Sequence, residues 1–251
     1  MDDCRLFPCS DHRYAFTEQE RIPQNSQFLV IIFPYRQGAD PVFEKVLPGN
    51  TKEILALLGK SEVIQRSYLG GGTALALQLG HRVSYDLDFF TPDEFDEQLL
   101  VPRLAEISDF QLEKIAWRTI LGKYGDVLFS IFYYNYPLLF PPMLFNGITV
   151  IETRDIAAMK IAAISARGVK RDFVDLYFIC RDIISLYDAI KLYDDKYGNL
   201  SANVIHIIKS LGYFEDADAD EMPHLLKDVN WDEVKNFFRH EVTHISKLLL
   251  L

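Results

Sequence analysis

The sequence predicts an α+β protein, with a mixed-sheet half over residues 1–152 followed by an all-helical half over 153–251. Three observations carry this. Short runs of β-branched and aromatic residues alternate with helical patterns as far as Ile151, the pattern of helices layered on a sheet. From Arg154 onward the hydrophobic period is helical nearly throughout. Within the first half, Gly70-Gly71-Gly72-Thr73 forms a glycine-rich turn that leads from a short strand into an apolar helix.

Residues 1–48 hold prolines, polar stretches and one expected strand, 28–33; their role stays open. A helix is expected over 51–58, capped at Asn50 or Thr51. Residues 66–69 read as the strand that feeds the glycine turn, 74–79 as the helix after it, and 86–90 as a short apolar strand. A helix follows over 97–107, then strands over 110–117, 126–134 and 148–151, with Phe140-Pro141-Pro142 marking a loop. Beyond Arg154, helices are expected up to Arg167, from about Arg171, and over 183–197, 201–211 and 231–250. The acidic segment 215–221 reads as a hydrophilic linker. No internal repeat is present.

Composition narrows the function. With 49% hydrophobic and 25% charged residues, the chain has ample material for a core. A net charge of -10 argues against broad nonspecific nucleic-acid binding. A local basic face remains, because Lys160, Arg167, Lys170 and Arg171 cluster after Arg154. The three cysteines, Cys4, Cys9 and Cys180, form no CxxC pair and support neither a disulfide framework nor a zinc site. The start, Met1-Asp2-Asp3, lacks the basic region of a signal peptide, and the 28–33 run is too short to cross a membrane. The expectation is a cytoplasmic protein with no membrane partner.

Chemistry concentrates between Gly70 and Phe90. Residues i and i+2 of a strand share a face, so Asp86 and Asp88 present two carboxylates side by side. A lone Asp-x-Asp is usually a solvated strand edge. Here Leu87, Phe89 and Phe90 make the segment apolar, where unpaired acids are costly and a divalent cation such as Mg2+ suits them. Gly71, Gly72 and Thr73 expose backbone N–H groups at a helix start, a natural phosphate site. His81, Arg82 and Ser84 lie on the link between; a guanidinium grips phosphate oxygens in pairs, so Arg82 is the best phosphate candidate there.

The second cluster is helical. Ile156, Lys160, Ile164 and Arg167 recur at spacings of four, four and three, so they share one face. Lys160 either snorkels out of that face or looks into a cleft and meets a triphosphate or a carboxylate; the cost of burying its charge favours the cleft. In the next helix Phe173, Leu176, Tyr177 and Cys180 form the core stripe, with Asp172 and Asp175 on a neighbouring face. Asp172 suits the helix dipole, and Asp175 is placed to pair with Arg171 across one turn. The spacing leaves open which of the two acids is functional, with Asp175 favoured.

The string GGTALALQLGHRVSYDLDFF, with its Gly-Gly-Thr turn before Asp-apolar-Asp, resembles the DNA polymerase beta-type nucleotidyltransferase superfamily. Within it the string is similar to the AbiEii/AbiGii toxin family of abortive-infection and type IV toxin-antitoxin systems. The block Asp155-Ile156-Ala157-Ala158-Met159-Lys160, then Arg167, then Arg171-Asp172-Phe173-Val174-Asp175-Leu176-Tyr177 carries the same resemblance, which covers roughly residues 50–185. It implies a nucleotidyltransferase-like first half and a transferase acting on a nucleoside triphosphate. It also implies Mg2+ on Asp86 and Asp88, catalytic roles for Lys160 and for Asp175 or Asp172, and nucleotide contacts at Gly71, Gly72, Thr73, Arg82, Ser84 and Lys160. The acceptor in such a family can be RNA, including the tRNA acceptor end, and the cognate antitoxin acts on expression. One departure stands out: many superfamily members carry a third carboxylate on a later strand, and 127–134 contains no acid. Asp126, Asp172 or Asp175 are the stand-ins. The alternatives are a nucleotide- or partner-binding module of the same fold with weak or no catalysis, and a metal-dependent phosphohydrolase.

Overall fold

The computed structural model describes residues 42–249, so the strand expected over 28–33 lies outside the described residues. Its strands are β1 (Tyr68–Leu69), β2 (Leu87–Thr91), β3 (Phe110–Ala116), β4 (Thr119–Tyr124), β5 (Val127–Tyr133), β6 (Met143–Phe145) and β7 (Ile148–Val150). Together they form one mixed sheet in the order β3-β4-β5-β2-β1-β7-β6. β2 runs parallel to β5 and β1 parallel to β7, while the other neighbours are antiparallel.

Two strands, β4 and β6, escape the sequence reading. Gly122 interrupts the apolar run of β4, yet β4 pairs along its length with both β3 and β5. Gly125, at φ 60°, opens the two-residue loop between Tyr124 and Val127. β6 has only three residues and is joined to β7 by Asn146-Gly147, at φ 49° and 80°. That Asn-Gly pair is the favoured two-residue hairpin turn and was the legible signal.

The helices are α1 (Gly49–Lys60), α2 (Gly71–Leu79), α3 (Glu97–Ala105), α4 (Thr153–Arg167), α5 (Lys170–Asp182), α6 (Leu186–Tyr197), α7 (Leu200–Leu211), α8 (Glu215–Asp218) and α9 (Trp231–Leu249). The cap of α1 is Pro48, not Asn50 or Thr51. α6 begins three residues later than expected, because the Ser185 hydroxyl accepts from Asp188 N and sets the helix start there. The acidic 215–221 segment is not a free linker. Its first residues form α8, Ala217 is fully buried, Asp218 receives hydrogen bonds from Trp231 and Lys235, and Asp220 receives one from Lys170 N.

α4 is the hub, packing against α2, α5, α6 and α7. One apolar core continues from Val46 in the sheet half to Ile245 in α9. A fully buried ion pair, Lys196 to Asp155 at 2.9 Å, adds a polar tie. Asp155 also accepts the backbone N–H groups of Leu139 and Phe140 and Lys196 donates to Pro137 O, so the loop before β6 is anchored to the start of α4. Among the described residues no helix is long and apolar enough to cross a membrane.

Candidate active site

β1 passes through Gly70 into α2, and Gly70 N donates to Asp88 O at 2.9 Å, which draws the glycine turn against β2. Gly71 has φ 64°, and a Cβ there would lie 2.9 Å from Asp88 Oδ2. Only glycine meets both conditions. At Gly72 a Cβ would fall 2.0 Å from an Arg82 guanidinium nitrogen. Thr73 is buried, and its hydroxyl bonds Ser84 Oγ at 2.8 Å and the Asp86 carbonyl. Its side chain therefore staples the link to α2, while its N–H belongs to the first helical turn, where such groups lack intrahelical partners.

Asp86 immediately precedes β2 and Asp88 lies within it. Both line a cleft of about 330 Å³ together with Gly71, Gly72, Thr73 and Lys160. Burial pushes the Asp88 carboxyl above its ordinary range, Asp86 adds to that push, and Ser130, Arg171 and Arg167 act against it. Two adjoining acids, one desolvated and repelled by the other, form a donor set that fits a hard divalent cation.

The register explains the missing third acid. Asp88 on β2 lies opposite Ser130 on β5, and the serine hydroxyl donates to Asp88 Oδ1. A neutral hydroxyl thus occupies the strand position beside Asp88. Asp126 sits in the β4–β5 turn against Asn50 and does not line the cleft. Among the described residues, no group of three or more His, Cys, Asp or Glu is placed to hold a metal.

Behind the cleft lies a buried charge network. Lys160 Nζ contacts Asp172 Oδ1 at 2.7 Å and Asp175 Oδ2 at 2.6 Å. Asp172 also binds Arg167 at 2.8 Å, and Asp175 binds Arg82 at 2.7 Å and His81 Nε2 at 2.8 Å. Neither aspartate is exposed or lines the cleft. Burial alone would raise both carboxyls. Arg82 and Lys160 outweigh it at Asp175, holding that carboxyl well below its usual range, and Lys160 and Arg167 do the same more weakly at Asp172. His81 is pushed down by burial against the pull of Asp175, so it is neutral and donates through Nε2.

Several expected contacts resolve differently. Asp172 stands in the first turn of α5 as expected, but its carboxylate is taken up by Lys160 and Arg167. Asp175 does not pair with Arg171, because Arg171 reaches Asp86 at 3.2 Å. Arg82 lines the cleft, but each of its guanidinium nitrogens donates to a protein acceptor: Nε and Nη2 to Asp175, Nη1 to Val83 O and Ser84 Oγ. The link holding it is clamped from outside the motif, since Val83 N donates to His224 O and Leu226 N to His81 O, both at 2.8 Å.

A glycine turn, two acids and a lysine from the helical half thus line one cleft. A model of the family described as nucleotidyl transferase AbiEii toxin, type IV TA system, matches residues 53–131 and 133–244. The chain belongs to the AbiEii family. The match runs well past the 50–185 stretch legible by motif, and includes the 224–227 segment that clamps the site. As a member of this family the protein is a nucleotidyltransferase. An uncharacterised protein of Aquifex aeolicus is 38% identical over 186 residues, covering 70% of this chain and 85% of the relative. Among solved structures, MenT4, a nucleotidyltransferase toxin of Mycobacterium tuberculosis, shares the fold at TM-score 0.53 and 17% identity, over 79% of this chain and 86% of that one. JHP933 of Helicobacter pylori overlays at TM-score 0.49 and 18% identity, over 83% and 94%.

The AbiEii cleft also contains residues that the motifs did not single out as site residues. Ser130, Leu121 and Lys114 continue the Asp88 row across β5, β4 and β3. Ser130 has a strand-alternation signal, whereas Lys114 has none, because its approach depends on the unforeseen β4. Arg167 and Arg171 line the cleft as well; the helical period put Arg167 on the Lys160 face, whereas the charge cluster marked Arg171 as basic without saying what it faces.

Proposed function

We propose that this AbiEii nucleotidyltransferase transfers a nucleoside monophosphate from a nucleoside triphosphate to an acceptor hydroxyl, with Mg2+ on Asp86 and Asp88 and RNA as the acceptor class. The observation that carries the reading is that both acids, the Gly71-Gly72-Thr73 turn and Lys160 line one cleft. A cation held by the acids would neutralise phosphate charge and lower the pKa of the attacking hydroxyl. The N–H groups of Gly72 and Thr73 bind the β- and γ-phosphates, and Lys160 stabilises charge on the pyrophosphate as it leaves. The acceptor oxygen bonds to the α-phosphorus while the bond to pyrophosphate breaks, and the hydroxyl proton passes to water. Asp172 and Asp175 take no part as bases. They are buried and committed to cations, and their role is to orient Lys160. Arg82 acts as a strut between Asp175 and the glycine turn. The antitoxin of such a system acts on expression of the toxin.

The test is incubation of the protein with each α-labelled nucleoside triphosphate, Mg2+ and total cell RNA, followed by gel analysis. Label on a discrete RNA is the expected result. Label released only as free nucleotide would identify a phosphohydrolase, and Mg2+-dependent nucleotide binding without turnover would identify a binding module.

A further inference from the structure

We infer that Arg171 is a triphosphate ligand held in reserve by Asp86 and released when a divalent cation binds. The inference rests on the metal-site reading above and adds a residue to it. Five cations line the cleft: Arg82, Lys160, Arg167, Arg171 and, from β3, Lys114. The first three are paired with Asp172 and Asp175, which lie outside the cleft and do not compete for a metal there. Arg171 alone of the five is paired with one of the proposed metal-binding acids, Asp86 Oδ2 at 3.2 Å.

That pair is built to exchange. Its two side chains are 43% and 28% exposed, so the attraction is solvent-screened and weak. The backbone that carries Arg171 is firmly placed, because Asp172 and Asp175 on the same helix are locked into the buried network. A divalent cation held by Asp86 and Asp88 would take the acceptor from the guanidinium and repel it. The arginine then keeps its position at the mouth of the cleft while losing its partner. Phosphate oxygens, delivered by the nucleotide into the same cleft, match the planar fork. Metal and triphosphate therefore favour one another's binding through Arg171, and the coupling is reciprocal.

The experiment uses the full chain, with Mn2+ as the metal probe and inorganic tripolyphosphate as the ligand probe. Paramagnetic resonance follows Mn2+ and calorimetry follows tripolyphosphate with and without Mn2+. Without phosphate, Arg171→Ala is expected to bind Mn2+ about threefold more tightly than the parent, since a screened competitor is removed. In the presence of Mn2+ it is expected to bind tripolyphosphate at least about tenfold more weakly, since charge-assisted hydrogen bonds are lost. Arg171→Lys, which retains the charge without the fork, should lose part of the tripolyphosphate affinity and melt with the parent. A merely structural arginine would weaken both ligands together. Unchanged or weaker Mn2+ binding in Arg171→Ala, or unchanged tripolyphosphate binding, overturns the inference. Failure of the underlying reading looks different: Mn2+ binding that survives Asp88→Asn undiminished places the metal elsewhere and sinks both.

Discussion

Lys160 Nζ lies 2.6 Å from Asp175 Oδ2, and the carboxylate has no exposure to solvent. A lysine on α4 that lines the cleft is thus held by an acid on α5. Asp172 completes the grip at 2.7 Å. The sheet half supplies the acids and the glycine turn, and this contact holds the lysine that the helical half contributes.

Replacing Lys160 by Met is expected to affect both function and stability. Nucleotide affinity should fall at least about tenfold, from loss of a charge-assisted contact. The fold should weaken as well, because Asp172 and Asp175 lose the cation they share. Calorimetric titration and thermal melting check the two effects; full nucleotide affinity in a destabilised protein would reduce Lys160 to a structural residue.

Asp175→Asn should cost more stability than Asp172→Asn. Removing Asp175 strips the counter-ion from buried Arg82, whereas removing Asp172 frees Arg167, which is 18% exposed and reaches water. Breaking a buried pair costs about 3–5 kcal/mol, which lowers the melting temperature of a chain this size by roughly 10 °C. Equal losses in the two variants, measured by thermal denaturation, would contradict this ordering.

Asp88→Asn is expected to abolish turnover, by at least about a hundredfold, while melting at or above the parent temperature. The sign follows from its raised carboxyl: ionisation of Asp88 in the fold is disfavoured by burial and by Asp86, so its contribution to stability is lost as pH rises through the folded value. Asparagine removes that cost at neutral pH and still accepts from Ser130. A variant that unfolds, or one that turns over normally, speaks against the assignment.

Acid should destabilise the protein in two stages. His81 is held below its ordinary 6.5 in the fold, so its stabilising contribution is complete above that value and declines as pH falls below it. Asp175 and Asp172 are held below 3.8; their contribution is complete above that value and is lost only on further acidification towards their folded values. Melting temperatures between roughly pH 7 and 5 should fall less steeply in His81→Gln than in the parent. An identical slope would show that His81 does not carry the first stage.

Much of this protein was legible in one dimension because its signals are local. Gly71 next to Asp88 reflects a turn and a strand only 17 residues apart, and strand alternation alone puts Asp86 and Asp88 on one face. The helical period likewise put Lys160 on the face of α4 that looks toward the cleft. Partner choice among charges was decided only by the tertiary structure, because it depends on which surfaces the packing of α4, α5 and the 81–84 link brings within 3 Å. Arg82 was the phosphate candidate by its chemistry, and folding commits it to Asp175 at 2.7 Å. Asp172 and Asp175 share a helix, yet burial sets both beneath Lys160 and leaves neither facing the cleft. Periodicity states which face a side chain occupies; the desolvation of that face, and the ion that must meet it there, follow from contacts between residues distant in the chain.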